Sequence, residues 1–237
     1  MLEEIDKAFS IKAKPPPDEK KRIKIMVAIP HLGKMVVGLE TKIARWIIER
    51  DYDVVQLFRS AVPVSANRNG IVDEFLRTDC DFLLMIDSDT LPTLNPLDLV
   101  KHDKDIVSGA TPVWKEGGYA WAVGRKAADG SYNQYTSEER KGLRQVDGVA
   151  ASCLMVKRKV LEKIKVPFME KFNEIGERAL GEDLHFCERA LEAGFTVWCD
   201  WEMVCDHAKE IRMLSVIQAI MNTHEAGIKK GQDLTKG

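Results

Sequence analysis

The sequence predicts an α/β domain whose core is a mostly parallel central sheet flanked by helices. Three observations predict it. Apolar runs of strand length recur along the chain, stretches of helical periodicity separate them, and Phe82-Leu83-Leu84-Met85-Ile86 is apolar throughout, as a strand buried on both faces has to be. With 237 residues, 45% of them hydrophobic, the chain can bury about 70–75% of its unfolded surface in one substantial core.

Residues 1–22 combine a short amphipathic piece with Pro15-Pro16-Pro17 and a mixed-charge run, which cannot continue a helix and read as an arm or linker. The folded domain is expected over residues 23–225, with 226–237 as a flexible tail. Lys24 to Ile29, bounded by Pro30, reads as the first strand, and Leu39, Ile43 and Ile47 then recur at helical spacing. Asp53 to Phe58 is a second strand. Val64 to Arg77 is a second helix with Ile71, Phe75 and Leu76 turned inward, and Phe82 to Ile86 is the third strand. This alternation implies a doubly wound sheet, in which ligands sit beyond the carboxyl ends of the strands. Pro30 to Lys34 and Asp87 to Thr90 are therefore expected to line one crevice.

Ile106 to Ala110 is another strand, and the Gly- and Trp-containing stretch from Trp114 to Gly142 reads as a hairpin with mobile loops. Val146 to Val156 is strand-like with an interruption at Gly148 to Ser152, and Arg158 to Ile164 is a short helix. Glu182 to Ala193 places Leu184, Cys187 and Leu191 on one face before Gly194 ends the helix. Phe195 to Cys199 reads as a strand. A last helix, about Ile211 to His224, aligns Ile211, Leu214, Ile217 and Met221 in an apolar stripe. That stripe can dock on the domain, pair with a second copy in a homo-oligomer, or lie on a membrane surface.

Charge and cysteine usage narrow the classes. Lys and Arg number 35 against 37 Asp and Glu, so the net charge of −2 provides no overall basic excess for gripping nucleic acid. The five cysteines (Cys80, Cys153, Cys187, Cys199 and Cys205) are scattered, without Cys-x-x-Cys spacing, and read as reduced, buried thiols of a cytoplasmic protein. The longest apolar run falls far short of the roughly 20 residues a spanning helix needs. The N-terminus carries charges where a signal peptide has an apolar stretch.

Five places can carry chemistry or hold a ligand. Asp87-Ser88-Asp89 sets two carboxylates at the end of a buried strand, where charge is costly unless compensated. A divalent cation is a natural compensation, because Mg2+ and Mn2+ prefer hard oxygen ligands and share their shells with substrate phosphates. Capping of a turn before Pro92 is the alternative for this tripeptide. Gly181-Glu182-Asp183 opens an amphipathic helix, whose positive end favours ionised carboxylates; Glu182 or Asp183 can then serve as a base, or simply cap the helix. His207, expected in a loop after the Phe195 to Cys199 strand, can bring an imidazole to the same metal, with Lys209 and Arg212 downstream for a pyrophosphate. Arg68 and Asn69, early in the second helix, can reach a base or phosphate, or lie on a solvated face. Of the tryptophans only Trp114 occupies a loop beyond a strand end, where it can stack on a ligand.

Taken in order, Ile29-Pro30, Ala66-Asn67-Arg68-Asn69, Phe82 to Asp89, Val146-Asp147-Gly148, Gly181-Glu182-Asp183 with Arg189 and Gly194, and His207 resemble GT-A glycosyltransferases, especially family-2-like ones with an Asp-x-Asp motif. The resemblance spans about residues 24–212. It implies a GT-A fold and a nucleoside-diphosphate sugar, UDP-linked by default, with its base near the Pro30 loop and further donor contacts from Ser88 and Gly148. It also implies Mn2+ or Mg2+ held by Asp89, Asp87 and His207, and Asp183 as the base of an inverting transfer. The acceptor stays open among a saccharide, a small metabolite, a protein side chain and a hydroxymethylated DNA base. Two rival readings are a non-catalytic nucleotide-sugar-binding module and a sugar nucleotidyltransferase. The latter is expected to carry a Gly- and Arg-rich phosphate loop where this chain has Pro30-His31-Leu32-Gly33-Lys34.

Overall fold

The computed structural model describes residues 22–115 and 118–208, and beyond them Leu214, Val216, Ile217, Ile220 and Met221. The chain opens with β1 (Lys24–His31), α1 (Leu39–Ile48), β2 (Asp53–Ser60), α2 (Val64–Leu76) and β3 (Phe82–Ile86). A short β4 (Thr90–Pro92) and a 3-10 helix over Pro96–His102 lead to β5 (Ile106–Ala110). The Gly- and Trp-containing stretch resolves into β6 (Pro112–Lys115), β7 (Gly118–Trp121), β8 (Val123–Lys126) and β9 (Tyr132–Asn133), with β6 hairpinned to β7 and β8 to β9. Next come β10 (Leu143–Gln145), β11 (Gly148–Val149), β12 (Cys153–Lys157) and α3 (Arg158–Lys163). The small β13 (Lys171–Phe172) and β14 (Arg178–Leu180), α4 (Glu182–Glu192) and β15 (Val197–His207) complete the domain.

The main sheet runs β10-β15-β5-β12-β3-β1-β2, with β4 paired to the far end of β15. Because β1 pairs parallel with β2 and β3, and β15 parallel with β5, the strands β1, β2, β3, β5 and β15 share one direction. Only β12 and β10 oppose them along this path. The sheet is thus mostly parallel in strand direction, as expected, although β12 is inserted antiparallel between β3 and β5. Alternation along the central strands explains their apolar runs. Met26, Ala28, Leu83 and Met85 pack with Ile71, Val72, Phe75 and Phe186 on one face, while Ile25, Val27, Ile29, Leu84 and Ile86 pack with Leu39, Ile43 and Trp46 on the other. All five cysteines are buried and unbridged.

The largest departure from expectation is the last strand. Rather than ending at Cys199 and leaving His207 in a loop, β15 continues for 11 residues to His207. Val197, Cys199 and Trp201 are buried in one core and Met203 and Cys205 in the other, while Glu202 and Asp206 are exposed, so the strand stays half-buried throughout although it changes face after Trp201. The pairing with β5 shifts register between Asp200 and Val204, and the strand end then pairs with β4 at Cys205↔Pro92 and His207↔Thr90. Gly109 permits this close approach: a Cβ there would lie 2.7 Å from the Met203 carbonyl oxygen and 2.9 Å from Cys205 Sγ. Gly109→Ala is expected to destabilise the domain by about 1–3 kcal/mol, read as a lower urea midpoint.

At the other end of the expected domain, Ile211 lies outside the described residues. Leu214, Ile217 and Met221 are helical and 74%, 46% and 56% exposed, so these three are not docked in the core. No helix among the described residues is long and apolar enough to cross a membrane.

Candidate active site

The common direction of β1, β3 and β15 decides where the site lies: their carboxyl ends bring Pro30 and His31, Asp87 to Asp89, and His207 to one edge of the sheet. A cavity of about 620 Å³ opens there, lined by Pro30, His31, Lys34, Asn67, Asp87, Ser88 and Asp89 among others. The backbone turn is tied on both sides. Asp87 N–H donates to the Ser152 carbonyl on the approach to β12, and Val36 N–H donates to the Ser88 carbonyl. Ala208 N–H donates to the Asp89 carbonyl at 2.8 Å, which sets His207 beside Asp89.

The two aspartates differ in what they face. Asp87 accepts from Arg68 Nη2 at both carboxylate oxygens, each at 2.9 Å. Arg68 Nη1 donates to Glu182 at 2.5 Å, so one guanidinium bridges the end of β3 to the start of α4. Arg68 is only 4% exposed and Glu182 only 7%. Burial works against the guanidinium charge, but Asp87, Asp183 and Glu182 outweigh it and hold the Arg68 pKa above its ordinary value. Asp89 instead stands 3.4 Å from His207 Nε2. His207 Nδ1 lies 2.9 Å from the Pro112 carbonyl oxygen, an acceptor only, so Nδ1 carries a proton. With Nδ1 so occupied, Nε2 is the ring nitrogen that faces the Asp89 carboxylate. Among the described residues no three His, Cys, Asp or Glu side chains gather as a complete cage.

Asp183 occupies the first turn of α4, where Gly181 provides no side-chain cap and the helix dipole favours a carboxylate. Its Oδ1 accepts from the Leu184 N–H at 2.8 Å. Burial raises the proton affinity of Asp183, and Glu182 beside it adds to the rise against the opposing pull of Arg68, leaving its pKa above the ordinary aspartate value. Asp183 also lines a second cavity of about 190 Å³. Through Arg68, which touches Asp87 and attracts Asp183, the two cavities share one electrostatic centre.

The other expected site residues are placed as follows. Asn69 turns away from the larger cavity to clasp the Phe168 backbone, donating to its carbonyl at 2.7 Å and accepting its N–H at 3.0 Å. Trp114 sits in β6, 38% exposed, and lines neither cavity. Gly148 is buried beneath Tyr132 and Leu184. Lys209 and Arg212 lie outside the described residues. His31 and Lys34 line the larger cavity with Asp87 to Asp89, as the crevice expected from the sequence has them, while Asn67 in that cavity and Trp121 and Tyr132 in the smaller one were given no site role from the sequence. Asn67 had a signal, since it precedes Arg68 in the first turns of α2. It is held by Arg59, whose carbonyl accepts from its amide at 3.0 Å.

No family model and no curated protein matches the chain. Among solved structures it is similar to A197 from STIV, with a TM-score of 0.51 and 21% identity over 80% of this chain and 98% of that one. It is also similar to GalNAc-T7 solved with UDP, GalNAc and Mn2+, with a TM-score of 0.51 and 11% identity over 82% of this chain. This chain spans 44% of that second structure. At such identities the likeness is one of fold: a GT-A-like α/β domain with a mostly parallel central sheet flanked by helices.

Proposed function

We propose that the chain is a metal-dependent glycosyltransferase that moves a sugar from a nucleoside-diphosphate donor to an acceptor hydroxyl with inversion. The observation that carries this reading is the juxtaposition of the Asp89 carboxylate and His207 Nε2 at 3.4 Å, with Asp89 on the wall of the larger cavity. The donor set fits a hard divalent cation: one carboxylate oxygen of Asp89 and one imidazole nitrogen of His207, whose tautomer is fixed by a backbone carbonyl, would hold it. When bound there, Mn2+ or Mg2+ supplies Lewis-acid stabilisation of charge on a departing diphosphate. The solved likeness to GalNAc-T7 with UDP and Mn2+ supports UDP-sugars and Mn2+ as the first donor and cation to test.

The chain's own residues account for the rest. Asp87 is assigned to hold Arg68 rather than to ligate the cation, since both its oxygens accept from that guanidinium. Lys34 and His31 line the cavity beside Asp89, where a basic side chain suits a diphosphate. Asp183 takes the proton of the acceptor hydroxyl as that oxygen bonds to the anomeric carbon. The bond from that carbon to the diphosphate oxygen breaks, and its electron pair leaves with the diphosphate.

Incubation with UDP-, GDP- and TDP-sugars, with and without Mn2+, tests the proposal by release of nucleoside diphosphate. Release from one donor that requires the cation is expected. His207→Ala is expected to raise the Mn2+ concentration for half-maximal release by about 10–100-fold. Metal-dependent nucleotide binding with no turnover, whatever the acceptor, would turn the reading into a binding module, and neither binding nor cleavage would end it.

A further inference from the structure

The smaller cavity has a definite chemistry of its own. Its walls are Val113, Trp121, Val123, Tyr132, Gln134 and Leu184, together with small residues, and its one charged group among the described residues is Asp183. Among the described residues no basic side chain lines it. At about 190 Å³ it is smaller than the roughly 300–1,000 Å³ of drug-sized ligand sites, a size suited to a single ring.

The walls are also held in place. A Cβ at Gly124 would meet the Tyr132 ring at 2.7 Å, and one at Gly148 would meet that ring at 2.8 Å and Leu184 at 2.6 Å. Only glycine at both positions lets Tyr132 and Leu184 seat as they do. Gln134 accepts from the Trp121 N–H at 2.8 Å and donates to the Trp121 carbonyl at 3.0 Å, while Trp201 packs edge-on to the Trp121 ring with centroids 5.7 Å apart. The aromatic wall is thus built before any ligand arrives, which lowers the ordering cost of binding.

We infer that this cavity is the acceptor subsite and that it takes a neutral pyranose, packed against Trp121 and Tyr132 with one hydroxyl directed to Asp183. The inference rests on the glycosyl-transfer reading of Asp183. A ring with an apolar C–H face and a hydroxyl-bearing rim matches aromatic walls with a lone carboxylate. An acidic or phosphorylated acceptor would instead bring a second negative charge beside Asp183, with no cation among the described wall residues to meet it. The proton lost by the sugar hydroxyl goes to Asp183, and the new glycosidic bond replaces the bond to the diphosphate.

The test adds acceptors to the donor-release assay: neutral methyl pyranosides, uronic-acid and phosphate counterparts of the same sugars, neutral oligosaccharides, a serine peptide and hydroxymethylated DNA. Neutral pyranosides are expected to accelerate release and the acidic counterparts not to. Equal stimulation by oligosaccharides identifies a glycan end as the source, and stimulation by monosaccharides alone identifies free sugars; either supports the subsite. Trp121→Phe and the cavity-filling Val113→Phe are expected to raise the acceptor KM roughly three- to tenfold more than the donor KM. Ligand-observed NMR of methyl pyranosides with the full chain is the separate readout. If no donor is cleaved but pyranosides bind and Val113→Phe weakens them, the sugar subsite stands and the transferase reading fails. Stimulation by peptide or DNA alone, or no pyranoside binding by either method, overturns the inference.

Discussion

Asp183→Asn is expected to lower turnover by about 10²–10⁴-fold while leaving the fold as stable as before or more so at neutral pH. The two effects have one cause. Burial, with Glu182 next to it, raises the proton affinity of Asp183 against the pull of Arg68, so the ionised form is held at a cost. A carboxylate with a folded-state pKa above its unfolded one binds its proton more tightly in the native state. Its favourable contribution is therefore present at low pH and lost as pH rises through the raised pKa. Asparagine removes that loss. It keeps an oxygen to accept the Leu184 N–H, so the first turn of α4 need not rearrange.

The rate has the opposite dependence. A base works only when ionised, so turnover should fall as pH drops through the same raised pKa, placing the acid limb above the ordinary value of 3.8. Pairing a pH–rate profile with thermal melts at acid and neutral pH checks both consequences. Wild type and variant should differ in melting temperature at neutral pH and converge in acid, and the acid limb should vanish from the variant's residual activity. A variant that keeps most of its turnover would remove Asp183 from the base role and leave a retaining course as the alternative.

The parts of the fold that were legible in the sequence are those where burial on both faces leaves one possible reading. β3 coincides with the Phe82 to Ile86 run because any polar residue there would enter one of the two cores. α2 follows from Ile71 and Phe75 in the same way. The antiparallel course of β12 was not legible, since strand direction depends on where the preceding segment enters the sheet and not on the strand's composition. The length of β15 was hidden by Asp200 and Glu202, which read as a loop until β4 and β5 are seen to share the strand between them. Within the site, Asp87, Asp89, Asp183 and His207 were all visible as chemistry-bearing residues. Their division of labour was not, because Asp87 turns to an arginine 19 residues earlier whose other partner, Glu182, lies 114 residues from it. Trp121 was not ranked as a site residue for an analogous reason: its cavity wall is created by a hairpin and two glycines distant in sequence.

That Arg68 centre sets the second large effect. Arg68→Met is expected to destabilise the domain by about 3–5 kcal/mol, because it leaves two largely buried carboxylates, on Asp87 and Glu182, without their common cation. For a domain of this size each kcal/mol corresponds to roughly 2–4 °C, so the melting temperature should drop by about 6–20 °C. Arg68→Lys should recover only part of the loss, since an ammonium group cannot span both oxygens of Asp87 and also reach Glu182 in the fixed plane a guanidinium provides. Glu182→Gln, which keeps an oxygen to accept from Arg68 Nη1 and removes one negative charge beside Asp183, should be far milder in stability. It should also move the acid limb of the rate profile downward, because Glu182 is one of the groups raising the pKa of Asp183. A purely structural Glu182 would leave that limb where it is. Thermal melts of the three variants with a pH–rate profile of Glu182→Gln therefore separate the two things the buried arginine does: it ties the end of β3 to α4, and it opposes the rise in proton affinity that burial and Glu182 impose on Asp183.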